Sequence, residues 1–515
     1  MQVPDEHEEE PVREEYVQMG KEFEQLISLV TPMIKNHIEE CGRPKTTPLT
    51  KWALPNDLLR ELGPLTNEPS SIEECAKAIE TTFKYSLKTM HPFFMDKLYA
   101  GSDPVGQIAE YVVAILNTNV HVYHVSPVFS VMEVECIRLF GDQFGFDPNT
   151  IDGTLNPGGS MSNMMALLAA RHEHFPHVRQ EGWRAEDRPV AFTALQSHYS
   201  INRCAMVCGM GMNQMIQIPS DRMTGAMDVE ALDKAVQGEI EKGNTPFFVN
   251  SLAGSTVMGG FDDQEKISSI CKKHGLWHHI DACWGGFLIF SDRCKRTIFK
   301  GCEKSDSIAF NPHKGLGTPV QTCILMTNNK DNALKKANTS GAEYLFHETE
   351  YSKYDIGDKT LSCGRRADSL ALWLCTKRQG INGFKKLADA AYDKTMYITR
   401  LIKEQSDKFE MVNEPVGTNT CFWYTPPYFR KGAEGENKYT DQYKTNTHKL
   451  IFEKMKEEGK LLIQHNPLPE FNLPNFFRLT LKGEKSRMED MPYLLDEIDR
   501  MGSNINSTIL DNFKP

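Results

Sequence analysis

The stretch from Ser160 to Thr327 constrains this chain more than any other. Short apolar runs (PVAFTAL, QMIQIP, PFFVNSLAG, LWHHIDA, SIAFNP, TCILMT) are interleaved with amphipathic ones (SMSNMMALLAARHEHF, SHYSINRCAMVCG, DVEALDKAVQGEIEKG, QEKISSICKKHG). The apolar runs do not alternate polar with apolar, so each is expected to be a strand buried on both faces. Strand–helix alternation of this kind predicts an α/β fold: a mixed, mostly parallel sheet flanked by helices on both sides.

The flanks differ in character. Residues 1 to about 15 form an acidic, solvated tail, followed by a helix from Tyr16 to Ile38. CGRPKTTPLTKWALPNDLL reads as an extended linker, and a helix is expected from Ser71 to Met90. Beyond Asp368, SLALWLCTKRQG and FKKLADAAYDKTMYITRLIKEQSDKF read as long helices, and CFWYTPP and NFFRLTLKG as strands of a smaller α+β region. RKGAEGENKYTDQYK has the composition of an exposed loop. The expected domains are an N-terminal tail and helical segment over 1–105, a large α/β domain over 106–375 and a small α+β domain over 376–515.

Composition narrows the function classes. Of 515 residues, 40% are hydrophobic and 25% charged, which suits a globular chain and excludes a largely disordered one. A net charge of -11 argues against general nucleic-acid binding. The N-terminus is acidic where a signal peptide would be basic, and no run of ~18 apolar residues reads as a membrane span. Thirteen cysteines without a CxxC pair argue against zinc and against a disulfide framework. A reduced, cytoplasmic protein without a metal is expected.

Several segments carry potential chemistry. SIAFNPHKGLG places Lys314 in a Gly-bearing turn at a strand end. A lysine there can form a Schiff base if its pKa is lowered, or can be an ordinary surface lysine. LWHHIDACWGG ends a strand at Asp281; a carboxylate so buried needs a cation or hydrogen bonds, and a helix cap or internal salt bridge would also satisfy it. NPGGSMSN puts Gly158, Gly159 and Ser160 before a helix, an anion site or simply a turn and cap. His198 in SHYS could stack on a planar ring or serve the fold. Arg478 in NFFRLTL needs a carboxylate partner, from a ligand or from the chain itself. Together these are the groups that pyridoxal phosphate requires: an anion cradle, a stacking ring, a carboxylate for its pyridinium and a lysine for its aldehyde.

HPFFMDKLYAGSDPVG, NTNVHVYHVSPVFSVME, NPGGSMSN, SHYS, HIDACWGG, NPHK, EYLF, DIGDK, CGRRAD, CFWY and NFFR follow one another in the order found in a known family. From about Ser71 onward the chain resembles the pyridoxal-phosphate-dependent group II amino-acid decarboxylases. The likeness is greatest to the branch holding glutamate, cysteine sulfinic acid and acidic amino-acid decarboxylases. The resemblance implies fold type I, the aspartate-aminotransferase-like architecture, and a homodimer with shared active sites. It casts Lys314 as the lysine that carries the cofactor, Asp281 as the partner of the pyridinium nitrogen and His198 as the ring stacked on it. Gly159, Ser160, Met161, Asn311 and His313 fall in the phosphate and lysine surroundings. Arg478 is cast as the ligand of the substrate carboxylate, Lys97, Leu98 and Tyr99 as the side-chain pocket, and Tyr351 as the proton donor.

The implied reaction is α-decarboxylation of a small acidic amino acid. Lys97 replaces a Gln usual in the family and favours an acidic side chain; Tyr99 and CGRR favour a short one, as in cysteine sulfinate or aspartate. Asn119 matches the glutamate branch, which leaves 4-aminobutanoate formation as the alternative. An oxidative, aldehyde-forming relative and a silent cofactor-binding homologue are further alternatives. Three departures stand out: Leu252 replaces a Thr, Cys283 stands where Ala is common, and the 346–355 loop is two residues shorter than usual.

Overall fold

The computed structural model of the chain describes residues 11–328, 332–483 and 485–513. Most of the expected acidic tail, through residue 10, lies outside the described residues. The chain forms two compact units: the described residues up to Phe94 with Lys454–Leu462, and Met95–Glu453 with the residues from Ile463 onward.

The first unit is helical. Glu14–Cys41 is one helix, so Glu14 and Glu15 of the expected tail occupy its first turn. The linker expected as extended contains a helix, Pro55–Leu62, with proline at its first position, where no N–H is needed. The next helix, Ile72–Tyr85, opens on a reciprocal capping box between Ser71 and Glu74 and stops five residues short of the expected Met90.

The second unit holds both sheets. The larger contains β1 (Asp152–Asn156), β2 (Pro189–Ala194), β3 (Met215–Ile218), β4 (Thr245–Leu252), β5 (Trp277–Ala282), β6 (Ser307–Phe310) and β7 (Cys323–Thr327). Their order is β1-β7-β6-β5-β4-β2-β3. The pairs from β3 through β6 are parallel; β7 runs antiparallel to both β6 and β1. Both faces are covered, as the uninterrupted apolar runs require. Ala191, Phe248 and Leu325 pack with the helix Gly159–His174. Their neighbours Val190, Phe192 and Val249 pack with Leu232, Val236 and Ile267 of the helices Val229–Glu241 and Gln264–His274. β1 has no apolar run to announce it: it reads Asp-Gly-Thr-Leu-Asn, yet all five residues are buried.

The smaller sheet contains β8 (Phe409–Met411), β9 (Asn419–Tyr424), β10 (Gln464–Leu468) and β11 (Leu473–Thr480), all antiparallel, in the order β10-β11-β9-β8. The two long helices expected after Asp368 are continuous over Ser369–Glu404 except at Gly380, whose φ of +60° breaks the helical path. The stretch expected as a loop after Arg430 instead leads into the helix Asp441–Glu458. Among the described residues, no helix is long and apolar enough to cross a membrane.

Candidate active site

The larger sheet gathers its chemistry at one edge. β2, β4, β5 and β6 are parallel, and β1, antiparallel to β7, shares their direction. The carboxyl ends of these strands meet where β7 begins, the usual ligand crevice of an open α/β sheet. A cavity of about 220 Å³ lies there. It is lined by Gly159 and Ser160 after β1, His198 after β2, Leu252 and Thr256 at and beyond the end of β4, Asp281 of β5, and Asn311 and Lys314 after β6. Residues more than 150 positions apart are thus brought together by strand order.

Lys314 sits in a single helical turn, Pro312–Gly315, with its backbone N–H donating to Asn311 O at 3.0 Å. Asp281 is 6% exposed. Its Oδ2 accepts from Asn163 Nδ2 at 3.0 Å and its Oδ1 from the Cys283 N–H at 3.0 Å. Burial pushes its pKa upward, but His198, Lys314 and these hydrogen bonds outweigh burial and hold the carboxyl below its ordinary range. It is therefore an anion.

His198 Nδ1 lies 2.8 Å from Ser200 Oγ and accepts from the Ser200 N–H at 3.3 Å. Burial, with Lys314 and Arg203 nearby, lowers its pKa, against the pull of Asp281. His313 is lowered to about 4, chiefly by burial, and its Nδ1 hydrogen-bonds the Thr322 carbonyl at 2.5 Å. Both rings are accordingly neutral at physiological pH.

The turn before the helix Gly159–His174 has free donors. The Met161 N–H turns back to Gly158 O at 3.1 Å. Gly159 and Ser160 line the cavity with the N–H groups that a helix start leaves without an intrahelical acceptor. The Met161 side chain packs toward the core and does not line the cavity.

The expected substrate residues form a second group. Arg478 is 4% exposed, and its partners are carbonyls, not a carboxylate: Thr256 O at 2.9 Å and Asp96 O at 2.8 Å. Its Nε is buried without a hydrogen bond to any of the described residues. Gln464 of β10 is its register partner on β11, and Gln464 Oε1 accepts from Lys97 Nζ at 2.6 Å. Lys97 also pairs with Asp96 at 3.1 Å. Through Thr256, Arg478 adjoins the cavity wall. Leu98 packs on the core, and Tyr99 is 37% exposed. Asn119 is held elsewhere, its Oδ1 accepting from the Arg365 N–H at 2.8 Å. Tyr351 is exposed, stacks on Tyr123 at 5.2 Å between centroids, and does not line the cavity.

Sequence reasoning passed over Asn163, although NPGGSMSN ends on it, and Asn419. The Asn419 Oδ1 accepts from Trp284 Nε1 at 2.6 Å, and its Nδ2 donates to Thr256 O and Val257 O, clamping the loop after β4. Neither role has a local signal, because Asp281, Trp284, Thr256 and Val257 all lie more than 100 residues from the amide they bond.

The residues present fit pyridoxal phosphate. The cavity offers an anionic carboxylate, a lysine, a neutral imidazole and a turn with free N–H groups. Asn311 Oδ1 is a buried acceptor with no partner among the described residues.

Residues 55–425 match the model of the pyridoxal-dependent decarboxylase conserved domain. The chain is 38% identical to glutamate decarboxylase of Drosophila melanogaster over 84% of its own length and 83% of that protein. It is 34% identical to cysteine sulfinic acid decarboxylase of Mus musculus, over 90% of this chain and 93% of that one. The crystal structure of mouse CSAD superposes with a TM-score of 0.86 at 32% identity, covering 95% of this chain and 99% of the other. With its mostly parallel seven-stranded sheet and the cavity at its edge, this chain belongs to the pyridoxal-dependent decarboxylase family, a fold type I enzyme with pyridoxal phosphate as its cofactor.

Proposed function

We propose that the chain removes the α-carboxylate of a short acidic L-amino acid, cysteine sulfinate or aspartate, giving hypotaurine or β-alanine and CO2. The observation that carries this reading is the meeting of Lys314, Asp281 and His198 in one cavity. The cofactor supplies an electron sink for the pair left when CO2 departs. Lys314 would hold it through its aldehyde, and Asp281, kept anionic, would keep a proton on the ring nitrogen. Gly159, Ser160 and Asn311 would meet the phosphate side, and His198 would cover the ring face. The neutral state of His198 leaves Asp281 as the charge that the ring nitrogen meets.

Arg478 would bind the substrate carboxylate. Lys97, held near Arg478 by Gln464, would meet an acidic side chain, and Tyr99 would shorten the space for it. A glutamate decarboxylase is the second reading, favoured by the 38% identity to the Drosophila glutamate decarboxylase and by Asn119. The presence of both Lys314 and Asp281 in the cavity speaks against a silent homologue.

The enzyme would act as a cytoplasmic homodimer. Ile108, Tyr111, Ile115 and Leu116 of the helix Pro104–Leu116, with Val128 and Val131 of the helix Pro127–Gln143, are exposed apolar side chains suited to a second copy. All thirteen cysteines are free thiols, which suits a reducing compartment.

Product analysis by mass spectrometry tests the substrate. The protein loaded with pyridoxal phosphate is offered glutamate, aspartate, cysteine sulfinate and cysteate in competition, with Lys314→Ala as control. Hypotaurine or β-alanine as main product is expected. 4-Aminobutanoate as main product would overturn the short-side-chain reading, and no amine despite bound cofactor would overturn the decarboxylase reading.

A further inference from the structure

One hydrogen-bond chain behind Asp281 has a fixed direction. It begins at Trp277, whose indole N–H can only donate, here to Ser307 Oγ at 2.9 Å. Ser307 Oγ lies 2.8 Å from His279 Nδ1, and His279 Nε2 lies 3.1 Å from Asn163 Oδ1. Asn163 Nδ2 then donates to Asp281 Oδ2 at 3.0 Å and to Ser200 Oγ at 3.2 Å. The chain ends on a carboxylate, which can only accept.

The two ends leave one consistent assignment. Asp281 requires the amide nitrogen of Asn163 on its side, so Asn163 Oδ1 faces His279. That oxygen needs a donor, so the His279 proton sits on Nε2, and Nδ1 accepts from the Ser307 hydroxyl. His279 is wholly buried, and burial lowers its pKa to about 4, which keeps the ring neutral and preserves this tautomer. Asn163 is 1% exposed, with both amide hydrogens and its oxygen engaged. Asp at this position would set a second anion against Asp281. Leu would fill the space but leave His279 Nε2 without its acceptor and Ser200 Oγ without the amide donor.

We propose that Asn163 is a positioning residue, locked in one amide orientation by His279 and Ser307, which fixes the Asp281 carboxylate so that its remaining lone pairs meet the cofactor's ring nitrogen. This rests on the reading of Lys314 and Asp281 as cofactor ligands. His279 acts one step further back, by setting the orientation of Asn163.

The test is a double-mutant cycle on the equilibrium binding of pyridoxal phosphate, with the full-length chain. Asn163→Leu is expected to weaken binding roughly 10–100-fold, by analogy with removal of the outer partners that orient a metal ligand. In an Asp281→Asn background the same substitution is expected to add less than about threefold, because its effect passes through the carboxylate. His279→Gln, whose amide can still donate to Asn163, should stay within about threefold of the parent, whereas His279→Leu should weaken binding about tenfold. Equal losses from Asn163→Leu in both backgrounds, or no difference between His279→Gln and His279→Leu, would overturn the proposal. Borohydride reduction and peptide mapping of the loaded parent separate the two levels. A cofactor found away from Lys314 sinks the site reading itself; a cofactor on Lys314 with an additive cycle sinks only the role of Asn163.

Discussion

Arg365 and Glu133 form an ion pair at 2.5 Å in the interior of the second unit, their side chains 5% and 1% exposed. Arg365 also donates to the carbonyls of Val120 at 2.7 Å and Leu155 at 3.0 Å, while Glu133 accepts from the Leu155 N–H at 2.8 Å. With the Arg365 N–H on Asn119, the pair ties a candidate substrate residue to the strand that delivers Gly158–Ser160 to the cavity. Removing one member leaves a buried charge alone, at a cost of about 3–5 kcal/mol. Arg365→Met is therefore expected to lower stability by that amount in denaturant unfolding and to weaken cofactor binding. Adding Glu133→Gln should recover part of the loss. A double variant as unstable as the sum of the two singles would show that the pairing is not the source.

A second prediction concerns Gly159 and Cys283. A methyl group placed on Gly159 would meet Cys283 Sγ at 2.5 Å, well inside contact distance. Cys283 cannot readily yield, since it is buried in a cluster with Ala309 and Cys323. Overpacking of this kind costs roughly 1–3 kcal/mol. Gly159→Ala should therefore weaken cofactor binding about tenfold, measured by equilibrium titration. Gly159→Ala with Cys283→Ala should restore it, because the nearest remaining atom is Cys283 Cβ at 3.4 Å. Failure of the second substitution to rescue would mean that Gly159 serves the backbone path rather than the space.

These pairs mark the limit of what the sequence reveals. The six apolar runs from PVAFTAL to TCILMT all became strands, because burial on both faces leaves an unmistakable composition. β1 was invisible: Gly153 lies against Leu325 O, so close that a side chain there would clash, and a run of Asp, Gly, Thr and Asn around one Leu carries no apolar signal. Lys314, Asp281, His198 and Gly159 were legible because strand ends and glycine turns are local features. Asn163, Asn419 and Arg365 were not, since the bonds to Asp281, Trp284 and Leu155 that give them their roles each span more than 100 residues. Tyr351 and Asn119 were placed by resemblance alone, and within one chain neither reaches the cavity.

Stability should fall as pH drops from 6.5 toward 4. Burial lowers His278 and His448 to about 3 and His279 and His313 to about 4. Each is neutral in the folded chain and takes up a proton on unfolding. Over that window the unfolded state therefore binds more protons, and stability rises with pH. Each such histidine contributes up to roughly 3 kcal/mol by pH 4, at about 1.4 kcal/mol per unit. Asp262 and Asp368, raised by burial to about 7 and about 6, run the other way, but they are fewer and less shifted in total. His448→Gln isolates one contribution. Its Nε2 accepts from the Tyr424 N–H at 3.1 Å, and it cannot charge there without losing that bond. The variant's unfolding free energy should fall less steeply than the parent's between pH 6.5 and 4; parallel curves would exclude a role for His448 in the slope.

Tyr351 is the sharpest remaining test of the reaction. It stacks on Tyr123 in an exposed loop, close to Tyr354, and its own chain's cavity is lined without it. If it returns the proton to the substrate, its hydroxyl matters and its ring does not. Tyr351→Phe keeps the stack on Tyr123, so the loop and cofactor binding should be unchanged. Removing a positioned proton donor typically costs 10²–10⁴-fold in turnover. The expected result is a fall of about that size in kcat with KM nearly constant. Because the side chain does not reach the cavity of its own chain, the proton would have to be delivered in the other subunit of a dimer. Mixing Tyr351→Phe with Lys314→Ala chains tests that route. Each dimer of the two variants holds one site with an intact lysine, and that site is served either by the partner's Tyr351 or by its own chain's phenylalanine. Recovery of activity on mixing would place Tyr351 across the dimer; no recovery, with single-variant losses as expected, would place its action within its own chain.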